Sequence, residues 1–185
     1  MSLKKFLYGR DKLTCQLAQS ILEDKLICEI GDEEIKKINK SRQSILNVLE
    51  SSSIIYGVNT GIGELCNTKI SDSDSKLLQE NLLKSHAVGV GDNAPIEISK
   101  LMMILKVHSL SMGYSGVSLN LIDRICWHID NDIVPVVPSK GSVGASGDLA
   151  PLAHLFLPLI GHGKVYYKKK KIKSLDFLSL ENKKP

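Results

Sequence analysis

Residues 141–154 contain three glycines, two serines and an acid in one short stretch, and residue types in this combination could do chemistry. The sequence is GSVGASGDLAPLAH, with glycines at 141, 144 and 147 and Asp148 directly after the last of them. A phosphate-binding loop would need GxGxxG, or GxxxxGK followed by Ser or Thr, and the nucleophile turn of a hydrolase would need GxSxG. The stretch matches none of these, so its spacing predicts neither nucleotide binding nor serine hydrolysis.

Two interpretations of this loop are open. The first is a turn leading into a helix, because Asp148 can cap the first backbone amides and Pro151 is tolerated in a first helical turn. The second is chemical: the amide nitrogen of Gly147 attacks the carbonyl carbon of Ala145, and Ser146 loses its hydroxyl as water to leave a methylidene on a five-membered ring. Glycine suits this attack, since no Cβ crowds its nitrogen. Spacing alone favours the turn and leaves the ring open.

Tyr56 and His86 are weaker candidates by residue type alone. Tyr56 lies in the segment Ile-Ile-Tyr-Gly-Val, where an ordinary buried tyrosine is the simpler interpretation. His86 closes a predicted helix, where a structural histidine and a binding residue are equally compatible with the pattern. Residues 54–58 are too short and too close to glycine to form a helix, so they predict an extended segment leading into the loop that follows.

The rest of the chain is expected to position these residues with helices. Apolar side chains recur at helical spacing in most of it. The segment after Pro95 is apolar nearly all round, which predicts a helix buried on most sides. Residues 133–138 are expected to be extended, because each proline disfavours the helical conformation in the residue before it. The predicted helices cover residues 32–51, 71–88, 96–112, 118–130 and 148–159.

The composition excludes several classes of protein. The chain has 185 residues, of which 43% are hydrophobic and 24% charged, values typical of one globular domain with a core. Its longest apolar stretch, residues 149–161, contains two prolines and His154 and is not expected to span a membrane, and no signal peptide is predicted. The four cysteines lack CxxC or metal-binding spacing, which predicts reduced thiols in a cytoplasmic protein and no metal site.

The positive charge is confined to the end of the chain. The net charge is +4, but residues 161–185 carry eight lysines and two acids, or +6, which leaves −2 for residues 1–160. Four lysines at 168–171 stand between Val-Tyr-Tyr and Ile172. This arrangement indicates a β-hairpin with a solvated lysine turn, so no nucleic-acid partner is expected.

Four stretches of the sequence together resemble the aromatic amino-acid ammonia-lyases. Their order and spacing agree with that family from about residue 56 to residue 164, and four motifs in register make the resemblance specific. Within the family it is strongest to the members that act on histidine. The stretches are YGVNTGIG at 56–63, SHAVGVG at 85–91, LKVHSLSMGYSGV at 105–117 and GSVGASGDLAPLAH at 141–154.

The resemblance implies an enzyme that eliminates ammonia from an L-amino acid to give a 2-enoate. It implies that Ala145, Ser146 and Gly147 cyclise into a 4-methylidene-imidazol-5-one (MIO) group, with no external cofactor, and that Asp148 assists ring formation. Tyr56 would be the base that takes the β-proton. These assignments follow from the matching positions, not from spacing.

The same resemblance implies the substrate. His86 would contact the imidazole of L-histidine, Asn59 and Gly63 would also bind substrate, and the product would be urocanate. The alternatives are a tyrosine or phenylalanine ammonia-lyase or aminomutase, and a non-catalytic remnant.

Three residues depart from the usual family pattern, and these departures bear on loop packing. Four histidines are expected to be structural. The departures are Ile62, Glu64 and Met112, and the structural histidines are His108, His128, His154 and His162.

The implied fold is mainly α: the amino-terminal helical domain of the ammonia-lyase fold, of the fumarase/aspartase-like superfamily, with a small β-hairpin and active-site loops. Residues 1–185 are expected to be the MIO-bearing domain, without the central helical bundle and the carboxy-terminal part. A truncated gene, a split subunit and a cut expression product are all compatible with this expectation. The chain alone is expected to be inactive, and the full-length enzyme to be a homotetramer.

Overall fold

A computed structural model describes residues 4–51, 54–61, 70, 72–144 and 147–185, with the backbone alone at 72, 73, 75 and 76. Helices dominate this part of the chain, so the expected fold class, mainly α, is confirmed. A short 3₁₀ helix, Leu157–Ile160, continues the sixth α-helix. The α-helices are α1 (Cys15–Leu22), α2 (Asp32–Glu50), α3 (Asp72–His86), α4 (Ile96–Ser111), α5 (Leu119–Asp130), α6 (Leu149–Phe156) and α7 (Ser174–Leu180).

Short strands connect the helices at three places. The first two strands run parallel, with α1 as the crossover between them, and this non-local pair was not predicted. The third and fifth strands pair antiparallel, and the fourth, sixth and seventh form one antiparallel sheet. The strands are β1 (Lys4–Tyr8), β2 (Leu26–Ile30), β3 (Val90–Asn93), β4 (Val134–Pro135), β5 (Pro138–Lys140), β6 (Lys164–Tyr167) and β7 (Lys170–Lys173).

Helix α4 lies in the middle of the core and packs against α1, α2, α5, β1 and β4. Its residues Met103, Ile104 and Val107 are buried, as the apolar sequence predicts. Ile98 and Leu105, seven residues apart, are 49% and 48% exposed. The helix is therefore buried on most sides and open along one.

The hairpin predicted near the end of the chain is confirmed. Strands β6 and β7 pair antiparallel with Tyr167 opposite Lys170, so two lysines form the turn. Lys168 and Lys169 both have positive φ, 48° and 63°, as a two-residue hairpin turn of type I′ requires. Two lysines of the run thus form the turn, the other two begin β7, and all four are exposed.

Residues 54–58 are not the extended segment that the sequence predicts. Tyr56, Gly57 and Val58 form a turn in which the Val58 N–H donates to the Ile55 carbonyl at 3.1 Å. The physical reason is the polar side chain that follows: Asn59 Oδ1 accepts the Ile55 N–H at 2.8 Å. A local side-chain acceptor replaces the neighbouring strand that an extended segment would need.

Among the described residues, no helix is long and apolar enough to cross a membrane.

Candidate active site

One cleft brings together two of the regions that the sequence singled out. It has a volume of about 230 Å³ and lies between the carboxy-terminal end of α3, the segment after it, and the loop that leads into α6. His86 and Gly147 both line it, although 61 positions separate them in the sequence. The remaining lining residues are Ser85, Val88, Gly141, Ser142, Val143, Leu149 and Ala150.

Close backbone packing at Gly89 holds the two sides of the cleft together. The Gly89 N–H donates to Nε2 of His154, on α6, at 2.9 Å. On the other side, a Cβ at Gly141 would lie 2.9 Å from the Cα of Gly89, closer than such atoms can approach, and Gly141 has a φ of +118°. Strand pairing continues this contact, since Val90 lies opposite Lys140. The segment after His86 is therefore fixed against both the loop and α6.

The loop is closed by a hydrogen bond between two side chains. Ser142 Oγ donates to Asp148 Oδ1 at 2.8 Å, which joins the residues on either side of positions 145–147. Asp148 occupies the N-cap position of α6, but its side chain makes no cap hydrogen bond. The prediction that its carboxylate caps the helix is therefore wrong, because that carboxylate is turned to Ser142. Nothing in the spacing distinguishes Ser142 beforehand.

The described glycines of the loop fit the proposed cyclisation. Gly147 has a φ of +89°, a conformation that residues with a Cβ rarely adopt. A Cβ at Gly144 or Gly147 would meet no atom within 4 Å, so glycine is not required there to avoid a clash. Conformation and an uncrowded nitrogen are the properties that ring closure needs from Gly147. Ala145 and Ser146, the other two ring residues, lie outside the described residues.

His86 is hydrogen-bonded within its own helix through Nδ1. Its Nδ1 lies 2.8 Å from the Leu82 carbonyl oxygen and 3.2 Å from Ser85 Oγ. A carbonyl oxygen only accepts hydrogen bonds, so Nδ1 carries the proton and donates it. In the tautomer that carries its proton on Nδ1, Nε2 is an acceptor, and within the described part of the chain no hydrogen bond engages that atom.

The tyrosine turn lies apart from the cleft. Tyr56 does not line the cleft, and its side chain is 62% exposed. Asn59 is only 4% exposed and serves the turn through its bond to Ile55, while Thr60 Oγ1 accepts the Gly57 N–H at 3.1 Å. Gly63 lies outside the described residues. The structure thus brings His86 and Gly147 together in the cleft, but not Tyr56 or Asn59. Asp148 reaches the cleft only through its bond to Ser142, which lines it.

The remaining histidines divide between buried and exposed positions. His108 Nδ1 accepts the Gly9 N–H at 3.2 Å, and His128 Nδ1 donates to the Arg124 carbonyl at 2.7 Å. Burial lowers the pKa of both rings and of His154. His162 is exposed. In the part of the chain that the structure describes, no group of histidines, cysteines and acids could hold a metal ion.

Comparison with known proteins identifies the family of this chain. The family model described as aromatic amino acid lyase matches residues 13–185. The histidine ammonia-lyase of Streptococcus pyogenes is 42% identical over 158 residues, which cover 85% of this chain and 31% of that protein. The crystal structures of histidine ammonia-lyase from Trypanosoma cruzi and tyrosine aminomutase from Streptomyces globisporus are each 29% identical. The two structures superpose with TM-scores of 0.87 and 0.89, and the match covers 98% of this chain and 35% and 34% of theirs.

The chain spans about a third of the length of the curated relatives that it matches. The family match itself covers nearly all of the chain, and the structural match extends over both sides of the cleft. The chain belongs to the aromatic amino acid lyase family.

Proposed function

We propose that this chain carries the electrophile-bearing part of a histidine ammonia-lyase, which eliminates ammonia from L-histidine to give urocanate. The observation that carries the proposal is the shared cleft: His86 lies beside the loop that contains Gly147. A substrate held there would have its side chain at His86 and its amino group toward the loop. The 42% identity to a histidine ammonia-lyase supports the same substrate.

The hydrogen bond at Nδ1 of His86 favours a substrate whose side chain donates a hydrogen bond to the other ring nitrogen. With Nδ1 donating to Leu82, Nε2 is left to accept. The imidazole of L-histidine has an N–H that can donate to it, whereas the phenyl ring of phenylalanine has no donor. A site that hydrogen-bonds a substrate rejects an analogue lacking the group, because its own polar atom is then left unpaired.

We propose MIO as the electrophile, formed from Ala145, Ser146 and Gly147. The positive φ of Gly147 and the Ser142–Asp148 bond support this, since the first is a conformation that suits glycine and the second joins the two ends of the loop. When present, the group supplies an electron-poor centre toward the amine of the substrate. Asp148 is proposed to assist ring formation, a role in which its Ser142 hydrogen bond would fix the carboxylate beside the loop.

Tyr56 is proposed as the base that removes the β-proton of the substrate. The family resemblance carries this role, because in this chain the turn lies apart from the cleft; the phenol is exposed, and the backbone of the turn is held by Asn59 and Thr60. Asn59 and Gly63 stay predicted substrate contacts, and for Asn59 the described bond to Ile55 gives a second role in shaping the turn. A homotetramer and a cytoplasmic location also stay proposals, carried by the family resemblance and the cysteine usage.

A second candidate is a tyrosine-specific lyase or aminomutase. The structural match to a tyrosine aminomutase favours it, and a phenolic O–H could also donate to His86 Nε2. The two candidates differ in substrate and in product, so one comparison separates them.

The test measures substrate preference in the complete protein that contains this chain. L-Histidine, L-tyrosine and L-phenylalanine are compared by the ultraviolet absorbance of their 2-enoate products and by chromatography for β-amino acids. We expect urocanate as the main product, and about a tenfold or larger loss of kcat/KM for L-histidine in His86→Phe, which removes the acceptor. His162→Phe makes the same change on the surface and should leave the kinetics intact. Unchanged histidine kinetics in His86→Phe would remove His86 from the site, and preferred turnover of tyrosine would establish the second candidate.

A further inference from the structure

Gly89 is enclosed on two sides by parts of the molecule that are distant in sequence. Its N–H donates to His154 Nε2 at 2.9 Å, and a Cβ at Gly89 would lie 3.0 Å from the His154 ring and 3.1 Å from Pro138. From the other direction, the backbone of Gly141 packs against the Gly89 Cα. The position of Gly89 therefore depends on the ring of His154 as well as on the loop.

The connection between His86 and Gly89 is short and hydrogen-bonded. Only two residues separate them, and the Val88 N–H donates to the His86 carbonyl at 2.9 Å in a tight turn. The Ala87 N–H still belongs to the end of α3, since it donates to the Leu83 carbonyl at 3.1 Å. A displacement of Gly89 is consequently transmitted to the backbone of His86 and to its ring in the cleft.

The histidine on α6 is held in the form that can accept this hydrogen bond. Burial lowers the pKa of His154, so the ring is neutral at neutral pH. With the proton on Nδ1, Nε2 offers its lone pair to the Gly89 N–H. A phenylalanine at the same position would fill similar space but would leave a partly buried N–H without this acceptor, which is costly.

We infer that His154 is a positioning residue for the substrate side-chain site: through Gly89 it sets the place of His86 beside the loop at 141–149. This inference rests on the proposed function for its kinetic consequence, because His86 is the proposed contact to the imidazole of L-histidine. His154 itself does not line the cleft, so it acts through Gly89 and not on the substrate. The role differs from the purely structural one expected for this histidine from the sequence.

The test compares two substitutions in the complete protein that contains this chain. His154→Phe keeps a ring but removes the acceptor, and His154→Gln places an amide oxygen near the position of Nε2. We expect His154→Phe to raise KM for L-histidine about tenfold with a smaller change in kcat, and to accelerate hydrogen exchange in peptides covering residues 87–91. His154→Gln should restore both quantities toward the wild-type values.

His108→Phe is the matched control, because His108 accepts the N–H of Gly9 in the same manner and neither residue lines the cleft. It should lower stability without changing KM. Equal KM in wild type and His154→Phe, or equal damage from Phe and Gln, would overturn the inference. Absence of histidine turnover in the wild type would count against the proposed function instead, and the exchange comparison would still decide whether His154 fixes the 87–91 segment.

Discussion

The turn that carries Tyr56 and the loop that contains residues 145–147 are held in opposite ways. In the turn, the hydrogen bonds of Ile55, Gly57 and Val58 join residues three or four positions apart. The loop also has a local bond, between Ser142 and Asp148, but its flanks are fixed by contacts to Gly89 and Val90. The hydrogen bond at Gly89 spans 65 positions.

This difference separates a local geometry from a tertiary one. The backbone of the turn is bonded largely by its own polar side chains, with a further bond from the Ile70 N–H to the Asn59 carbonyl. It should therefore depend less on distant parts of the molecule than the loop does. The loop needs α3, β5 and α6 in place, so its shape reports on the packing of the whole cleft. A substitution in either region should therefore have a distinct pattern of effects on folding and on chemistry.

The largest effect is expected from Ser146→Ala. Alanine has no hydroxyl to lose, so the methylidene cannot form, whereas an ordinary turn would accept alanine with little change. We expect kcat of the complete protein to fall by several orders of magnitude while its thermal unfolding stays that of wild type. Ser139→Ala, on the exposed strand β5, is the control for a serine removed nearby. Near-normal kcat in Ser146→Ala would show that the loop serves only as a turn and supplies no MIO group to the reaction.

The next largest effect is expected from Tyr56→Phe. Removal of a proposed general base should lower kcat by about 10²- to 10⁴-fold. Folding should not change, because the side chain is exposed and the turn is held by Asn59 and Thr60. Steady-state kinetics and a urea titration measure the two quantities separately. A marked fall in the free energy of unfolding of Tyr56→Phe, alongside the fall in kcat, would show that the Tyr56 side chain also holds the fold.

A pair of glycine substitutions tests the tertiary packing of the loop. Gly141→Ala introduces a Cβ against Gly89 and strains a residue with a φ of +118°, so we expect a loss of about 1–3 kcal/mol in unfolding free energy and weaker binding of L-histidine. Gly144→Ala is the control, since its Cβ would meet nothing within 4 Å. Chemical denaturation and KM are measured for both. Equal stability of the two variants would show that the loop does not depend on Gly89.

The smallest effect is expected from pH. Burial lowers the pKa of His108, His128 and His154, so at mildly acidic pH the unfolded chain binds protons that the folded chain does not. Their contribution to stability is complete above the ordinary histidine pKa of about 6.5 and is lost as pH falls below it. Urea titrations between about pH 5.5 and pH 7.5 should show unfolding free energy rising with pH. A flat profile over that range would contradict this prediction.

Most of the fold could be predicted from periodicity and capping residues. Helices α2, α4 and α5 begin and end within a few residues of the predicted positions, because Pro95 and Ser118 mark their starts locally. The parallel pair of β1 and β2 could not be predicted, since it depends on contacts across α1 and not on either strand's pattern. The turn at Tyr56 was missed for a related reason: Asn59 supplies an acceptor that an apolar pattern does not reveal.

The candidate site was only partly predictable. The residue types at 144–148 allowed a ring to be considered, and the family resemblance made it the expectation. The hydrogen bonds that shape the site, from Ser142 to Asp148 and from Gly89 to His154, join residues whose types are common and whose spacing carries no signal. The second of these bonds arises from the packing of the end of α3 against α6, which only the folded chain displays.

The formation of an MIO group from residues 145–147 is tested most directly by the mass of the peptide that covers residues 141–154 in the complete protein. Cyclisation of Ala145, Ser146 and Gly147 releases two water molecules, so the peptide should be lighter than its sequence mass by that amount. The same peptide from Ser146→Ala should not be lighter by the water that forms the methylidene. An unmodified peptide from a protein that converts L-histidine to urocanate at full rate would show that the reaction does not depend on an MIO group.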